Sequence, residues 1–406
     1  MDGVAKPRPG NKSGNKCRLA GDGSILNQRL MAIFAILSPT RIAHDHAAKV
    51  SPRGHLAALL FVVAWHAWAV WAVWAAGFGW LRPLRQSASD NGVSPPRELP
   101  MDPLAIARIA ARESTLGEGM RIRRALPTRE RRMVGAWCFL DHIGPIAFGP
   151  DQGLHVGAHP HTCLQTFTWM IEGEIWHRDS LGSDQVIRPG QVNLMTAGRG
   201  IVHTEDSVVP GQRMHAAQLW IALPPEVAEG EPAFEHHAEL PRWTQDGCDV
   251  TLLVGHWGGH TAPTRVHSPL VGLDIACPPA SGLNAPMDLP IDLPLRPDFE
   301  HGLLPLEGEV HIDGAEGPQR FVAGEFAHLA PGARQARLLL SPGSRVLLIG
   351  GEPWPHPMVM WWNFVGPSQA HIVRAQADWE AGAPRFGRVP GDGGHRLQAP
   401  PLPWKA

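Results

Sequence analysis

The chain contains no tyrosine, and its lysines are confined to its two ends. No lysine occurs between Lys49 and Lys405, so the basic residues of this long stretch are arginines. Together with abundant alanine, glycine and proline, this bias indicates a GC-rich bacterial coding sequence. It concerns the source of the chain and excludes no function.

Cysteine is scarce as well. The five cysteines are an odd number and show no C-x-x-C spacing; they are Cys17, Cys138, Cys163, Cys248 and Cys277. This pattern indicates neither a disulfide framework nor a metal site built from thiolates. A reducing compartment is the simplest setting for such a chain, and we therefore expect a cytoplasmic protein.

The chain also lacks an excess of charge. Its formal net charge is -2 and its pI is about 6.9. Neither value indicates the basic surface that nucleic acids or anionic membranes attract. Direct binding to DNA is not expected, and a small molecule or a protein is the expected partner.

The first hundred residues differ in character from the rest. Residues 56–81 are almost uninterrupted apolar sequence, long enough to span a bilayer, for which about 20 residues suffice. Three interpretations are open: a membrane anchor with a cytoplasmic N-terminus, a cleaved signal, or a start codon assigned too far upstream of Met101. Tryptophan at every third position is unusual for a membrane centre, because tryptophan prefers the interfaces. We therefore treat residues 1–100 as an extension, and expect a membrane location only if residues 56–81 are an anchor.

Two short motifs place metal-ligating residues at alternating positions. They are His159-Pro160-His161 and His203-Thr204-Glu205. In a β-strand, residues i and i+2 point to the same face, so each motif would present two ligands together. Two such strands facing each other across a small barrel would aim three imidazoles and one carboxylate at one point. This donor set suits iron, manganese, nickel, copper or zinc rather than calcium.

An internal repeat predicts two similar barrels. Residues 172–175 (EGEI) recur as 307–310 (EGEV), and residues 187–198 parallel residues 321–332 at nearly the same offset. Self-similarity of this kind is typical of duplicated structural units. Glycine-rich turns between short alternating segments favour closed antiparallel barrels of the jelly-roll type. The second copy has no His-X-His, and Arg337 stands at the position matching His203, so only the first copy is expected to bind metal.

Longer segments around these motifs resemble the pirin family of the cupin superfamily. They are HPHTCLQTFTWMIEGEIWHRDSLG (159–182), IRPGQVNLMTAGRGIVHTE (187–205) and RERRMVGAWCFLDHIGP (129–145), with weaker similarity in residues 361–366 and 377–389. The resemblance implies an all-β fold of two tandem cupin barrels. It also implies one mononuclear metal, usually iron, on His159, His161, His203 and Glu205. No other cofactor is expected.

Two kinds of function follow from this resemblance. Some pirins are quercetin 2,3-dioxygenases, which open a flavonol ring with release of carbon monoxide, and in such an enzyme Glu205 would also act as general base. Other pirins are metal- or redox-dependent partners of transcription factors or metabolic enzymes. The sequence does not decide whether this chain is an enzyme, and access to the metal is the discriminating feature. A structural bicupin is a third alternative.

The remaining predictions concern boundaries and single residues. We predict a metal-binding domain over residues 101–235, a second cupin domain over residues 236–406, and a short C-terminal packing helix capped by Ser368. Cys163 and Gln165 depart from the usual pirin pattern of glycine and then glutamate. If the strand stays regular beyond His161, Cys163 shares the face of the histidines; if a bulge intervenes, it turns into the core.

Overall fold

The computed structural model describes residues 104–117, 119–279 and 288–404. The apolar segment 56–81 and Cys17 lie outside this range, so the predictions made for them stay predictions. Within the described ranges, no helix has the length and apolar character needed to cross a membrane.

The predicted all-β fold of two cupin barrels is confirmed. The strands of the first half are β1 (Ile106–Ala110), β2 (Arg112–Leu116), β3 (Met120–Leu126), β4 (Trp137–Ala147), β5 (His155–His161), β6 (Leu164–Glu172), β7 (Ile175–Asp179), β8 (Asp184–Ile187), β9 (Val192–Thr196), β10 (Ile201–Ser207), β11 (Arg213–Ala222) and β12 (Ala233–His237). The strands of the second half are β13 (Arg242–Gln245), β14 (Cys248–Val254), β15 (His256–Trp257), β16 (His260–Thr261), β17 (Leu270–Ala276), β18 (Leu289–Pro294), β19 (Glu300–Glu307), β20 (Glu309–Gly314), β21 (Gly317–Val322), β22 (Glu325–Leu329), β23 (Gln335–Leu340), β24 (Arg345–Gly351), β25 (Val359–Trp361) and β26 (Phe364–Gly366).

Each barrel consists of a seven-stranded and a four-stranded antiparallel sheet. In the first barrel the orders are β12-β9-β6-β11-β4-β3-β2 and β5-β10-β7-β8. In the second they are β1-β22-β19-β24-β17-β14-β13 and β18-β23-β20-β21. The small sheets have the same order once β18, β23, β20 and β21 are matched with β5, β10, β7 and β8. The repeat in the sequence therefore corresponds to a repeat of topology.

Alternating burial explains how each strand contributes to its barrel. On β20, Val310 and Ile312 are buried, while the residues between and after them are partly or fully exposed. Successive side chains of a strand point to opposite faces, so one face fills the barrel and the other meets solvent. One apolar core joins the barrels, because Trp137 of the first packs in the same cluster as Leu347 and Phe326 of the second.

The two ends of the described chain each join the barrel formed by the other half. At the start, β1 pairs with β22 of the second barrel. At the end, Arg396 bridges to Ala158 within the first barrel's strand β5, and Phe364 bridges to Thr162, the residue that follows this strand. The division at residues 235 and 236 stays a prediction, and the terminal segments cross it in both directions.

The C-terminal helix α1 spans Gln369–Glu380 and begins as predicted. Ser368 is its N-cap and accepts a hydrogen bond from the backbone N–H of His371, at 3.2 Å. Ile372 and Trp379 are buried in a cluster with Ala158 and Val202 of the first barrel. Ala377 of the same helix is exposed.

Candidate metal centre

The two predicted motifs lie on neighbouring strands of one sheet. Strands β5 and β10 pair antiparallel, with His203 opposite His159 and Ile201 opposite His161. The expectation that the strands face each other across the barrel was wrong. Directly paired residues have Cβ atoms about 5 Å apart, whereas packed sheets lie about 10 Å apart, so adjacent strands bring these side chains together more closely.

Three buried imidazoles converge on the inner face of this small sheet. Candidate ligand atoms of His159, His161 and His203 all lie within 4.8 Å of one another, and the Nε2 atoms of His161 and His203 are 3.2 Å apart. Burial is the main cause that lowers the pKa of each ring, to about 4 for His159 and well below 6.5 for the other two. All three rings are therefore neutral at pH 7, the state in which imidazole binds a metal.

Hydrogen bonds identify the free nitrogen of two of these rings. His159 Nδ1 lies 2.8 Å from the carbonyl oxygen of Gly157, and His161 Nδ1 lies 3.0 Å from that of Asn363. A carbonyl oxygen only accepts, so Nδ1 must carry the proton in both rings. Nε2 is then the nitrogen with the free lone pair in both rings, and that of His161 faces Nε2 of His203. This donor set fits a divalent transition metal.

Glu205 lies in a second group, formed with His203 and His177, whose candidate ligand atoms are also within 4.8 Å of one another. The register between β5 and β10 shifts between His203 and Glu205, so Glu205 is paired with Val156. Burial, and to a smaller extent Asp206, raises the pKa of the Glu205 carboxyl to about 7. The structure thus brings the three predicted histidines together and places Glu205 beside one of them.

The second barrel carries apolar residues at the corresponding positions. Matching Ile175 with Val310 makes His177 equivalent to Ile312, and the ladders then match His203 with Ala336 and Glu205 with Leu338. The match of His203 with Arg337 was therefore wrong by one residue. Arg337 is on the outward face, with 57% of its side chain exposed, since neighbouring residues alternate.

The same ladders complete the comparison at the other two histidines. Because β18 pairs with β23 in the register of β5 with β10, His159 corresponds to Leu293 and His161 to Leu295. All four equivalents belong to the second barrel's apolar core cluster. Within the described residues, both candidate metal groups lie in the first barrel.

A cavity of about 300 Å³ reaches the histidines. Its walls come from both the first barrel and the C-terminal segment; they include Thr115, Leu116, Arg124, Phe139, Asp141, His159, His161, Thr166, His203, Glu205, Gln218, Trp220, Trp362, Asn363 and Leu397. Phe139 and Trp220 are stacked, with ring centroids 4.0 Å apart. Arg124 lies over Phe139 and binds both carboxylate oxygens of Asp141, at 2.6 and 2.7 Å. Larger clefts exist on the surface, but they are not lined by the three histidines.

The two residues that depart from the pirin pattern point away from this cavity. Strand β5 ends at His161, and Cys163 has a φ of 56°, so the chain bends at Cys163, whose side chain is buried in the core. Its Sγ lies 3.3 Å from Nε2 of His371. Burial, with help from Glu229, raises the pKa of this thiol to about 12. The regular strand was the wrong alternative. Gln165 is also buried and donates to Thr196 and to the carbonyl of Arg265.

Several residues of the site were missed from the sequence. Asn363 supplies the carbonyl that accepts from His161, and Trp362 and Leu397 line the cavity. Trp362 also contacts Phe364 edge to face. No local pattern connects these residues to the His-X-His motif, since about 200 residues lie between them.

The fold and the cluster define a two-barrel cupin protein with a histidine-rich site in its first barrel. Comparison with known families agrees: residues 119–221 match the Pirin family model and residues 283–387 match that of the pirin C-terminal cupin domain. The chain is 54% identical over 300 residues to a Pseudomonas aeruginosa protein named "Putative quercetin 2,3-dioxygenase", covering 74% of this chain and 91% of that protein. It is 41% identical to a pirin-like protein of Caulobacter vibrioides, over 67% of this chain and 92% of the relative.

A solved structure extends the comparison to three dimensions. The crystal structure of quercetin 2,3-dioxygenase from Acinetobacter baumannii is 46% identical and superposes with a TM-score of 0.69, covering 74% of this chain and 97% of that one. The chain belongs to the pirin family.

Proposed function

We propose that this protein is a metal-dependent dioxygenase that acts on a flavonol-like enol, with Fe(II) bound by His159, His161, His203 and Glu205. The observation that carries the proposal is the cavity of about 300 Å³ that ends at the three imidazoles. This volume lies at the lower end of the range for small-molecule sites. A regulator that only presents a surface to a protein partner has no need of such a cavity. The names of the relatives in Pseudomonas and Acinetobacter support the same choice of substrate.

The walls of the cavity suit a flat aromatic molecule. Trp220 is stacked on Phe139 and meets the ring of His161 edge to face, with centroids 5.0 Å apart. Aromatic rings prefer offset-stacked or edge-to-face partners, so this wall would orient a flavonol beside the histidines. Thr166 and Gln218 supply polar groups on the same lining.

A side chain of the protein would also act as the general base for the substrate. We assign to Glu205 the acceptance of the proton of the flavonol 3-hydroxyl, because this carboxyl is buried at the cavity lining. When bound, the metal would supply Lewis acidity and open coordination positions for the enolate and dioxygen.

Anaerobic loading with Fe(II), followed by oxygen uptake, tests this function. We expect one iron per chain and oxygen consumption with flavonols but not with the matched flavones that lack the 3-hydroxyl. His161→Ala and His203→Ala should each lose most of the iron while the barrels stay folded, because the core is apolar. Full iron content in both variants would refute the ligand set. Iron-loaded protein that consumes no oxygen with any flavonol would refute the enzyme and favour the regulatory alternative.

A further inference from the structure

His203 lies between the other imidazoles and a second pair of buried polar residues. Its Nδ1 is 3.3 Å from Nδ1 of His177, and Nε2 of His177 is 3.1 Å from a carboxylate oxygen of Asp179. All three residues have 3% or less of their surface exposed. Their strands are adjacent, since β7 pairs with β10 and Asp179 lies directly opposite His203.

Hydrogen-bonding rules determine where the protons lie in this chain of groups. The carboxylate of Asp179 accepts, so Nε2 of His177 must carry its ring proton. When the ring of His177 carries only this one proton, its Nδ1 is an acceptor and Nδ1 of His203 donates to it. His203 is thereby held as the tautomer whose Nε2 has a free lone pair. That lone pair faces Nε2 of His161, which is also unprotonated. Two lone pairs at this distance repel each other, and a cation bound by both nitrogens would remove the repulsion.

Asp179 and His177 are themselves held in place by neighbouring groups. The other carboxylate oxygen of Asp179 accepts from the backbone N–H groups of Leu181 and Ser183, at 2.9 and 3.0 Å. The ring of His177 stacks on Phe234 with centroids 4.5 Å apart. These contacts fix both the position and the plane of the groups behind His203.

The second barrel shows that this pair is not needed for the fold. In the equivalent sheet, Ile312 replaces His177 and Gly314 replaces Asp179, although the strand order is the same. The two residues are absent from the barrel in which the four candidate ligands are also replaced by apolar residues. Their presence therefore goes with the metal site and not with the architecture.

We propose that His177 and Asp179 are positioning residues, a hydrogen-bond relay that fixes the tautomer and orientation of His203 for metal binding. The relay deepens the proposed function and rests on its ligand set. His177 itself does not ligate, because Nε2 is engaged by Asp179 and Nδ1 is engaged by His203. Partners of this kind behind a metal ligand typically contribute 10- to 100-fold in metal affinity.

Three variants separate the relay from a role in packing. His177→Phe keeps a flat ring against Phe234 but removes the acceptor, and should weaken binding of Co(II), measured by chelator competition, by about 10- to 100-fold. His177→Gln retains an oxygen that can accept from His203 and should restore most of the affinity. Asp179→Asn leaves one side-chain oxygen for both the turn amides and His177, so a loss of about 10-fold is expected. His328→Phe is the control, since it removes an equally buried histidine paired with Glu300, at 3.0 Å, from the second barrel.

A spectroscopic signature reports the tautomer directly. In the Co(II)-loaded protein, each ligand histidine with a protected Nδ1–H gives a paramagnetically shifted, exchangeable proton resonance. We expect three such resonances in the unaltered protein. In His177→Phe the resonance of His203 should be lost to solvent exchange, while those of His159 and His161 persist.

Opposite outcomes would overturn the relay. Equal affinity loss in His177→Phe and His177→Gln, equal loss in the His328→Phe control, unchanged affinity in all variants, or a Co(II) spectrum that shows His177 as a ligand would each contradict it. Absence of Co(II) binding by the unaltered protein would overturn the relay and the ligand set together. Loaded protein that follows the expected affinity pattern without oxygen uptake would refute only the dioxygenase.

Discussion

Glu205 differs in chemical character from the three histidines of the site. They are neutral at pH 7, whereas a carboxylate brings negative charge into a buried site, and burial raises its pKa to about 7. A buried carboxylate is stabilised by a nearby cation or by uptake of a proton, and the proposed reaction supplies both. The position of this carboxyl therefore matters for binding the ion and for accepting the proton.

Replacing Glu205 by glutamine separates these two contributions. Glutamine keeps an oxygen at this position but cannot accept the proton of the 3-hydroxyl. We expect kcat for flavonol oxidation to fall by about 10²- to 10⁴-fold, while iron still binds when supplied in excess. Glu309→Gln, on the surface of the second barrel, serves as the control. Full activity of the Glu205 variant in oxygen-electrode assays would remove the base from the mechanism.

A second residue-scale prediction concerns a pair of histidines outside the metal site. Nε2 of His142 lies 2.9 Å from Nε2 of His215, and burial is the main cause that lowers their pKa values to about 3 and about 4. Between about pH 6.5 and pH 4 the unfolded chain binds protons that the folded one does not. The free energy of unfolding should therefore fall with decreasing pH, by up to about 1.4 kcal/mol per pH unit for each histidine.

Urea denaturation between pH 7 and pH 4.5 measures this dependence. The double variant His142→Gln and His215→Gln should lose stability less steeply than the unaltered protein as the pH is lowered. The histidines of the metal site are the same in both proteins and cancel in the comparison. Parallel stability curves for the two proteins would show that this pair does not contribute.

Among the elements, the C-terminal segment is the one that completes the site. Its residues Trp362, Asn363 and Leu397 line the cavity, and helix α1 anchors the segment to the first barrel through Ile372 and Trp379. Trp362 has a φ of 53°, a left-handed conformation that is costly for a bulky residue. Such a conformation persists where its surroundings hold it, as here at the cavity wall.

Substituting Trp362 tests this wall. Asparagine tolerates the left-handed region, so Trp362→Asn should keep the backbone and remove the indole. If the indole contributes about 1 to 2 kcal/mol to the free energy of flavonol binding, its removal raises the KM for flavonol by about 5- to 30-fold. The iron content and kcat should change little. Trp243→Asn, which removes a tryptophan stacked on His260 in the second barrel, should leave KM unchanged; an equal rise in both variants would contradict the assignment.

The elements also show which features a sequence can predict. The spacing of His159 and His161 and of His203 and Glu205 was enough to place each pair on one face, because strand periodicity is local. Whether β5 and β10 are neighbours or face each other depends on sheet order, which spacing does not contain. The bulge that moves Glu205 relative to His159, and the turn that buries Cys163, are likewise set by pairing with other strands. Asn363 could be found only from the folded chain.

On the scale of the whole molecule, the two barrels share one apolar core, and each barrel is contacted by a terminal segment from the other half of the described chain. The four sheets of the two barrels all lie within residues 104–404. The Pseudomonas relative matches 74% of this chain over 91% of its own length. The metal-binding and catalytic parts of the proposal therefore need only this portion of the chain.

A chain that begins at Met101 tests this conclusion. We expect it to purify without detergent, to bind as much iron per chain as the full-length protein, and to unfold at the same temperature within experimental error. Calorimetry and metal analysis of both chains provide the comparison. Aggregation of the shorter chain, together with recovery of the full chain only from membranes, would instead make residues 56–81 an anchor.

The hydrogen bond from His161 to the carbonyl of Asn363 has a consequence for biosynthesis. The two residues are 202 positions apart in the chain. At roughly 5 to 20 residues per second, the ribosome adds Asn363 about 10 to 40 seconds after His161. A nascent first barrel thus has its histidines before it has the carbonyl that orients one of them. We expect acquisition of iron in the cell to follow release of the finished polypeptide.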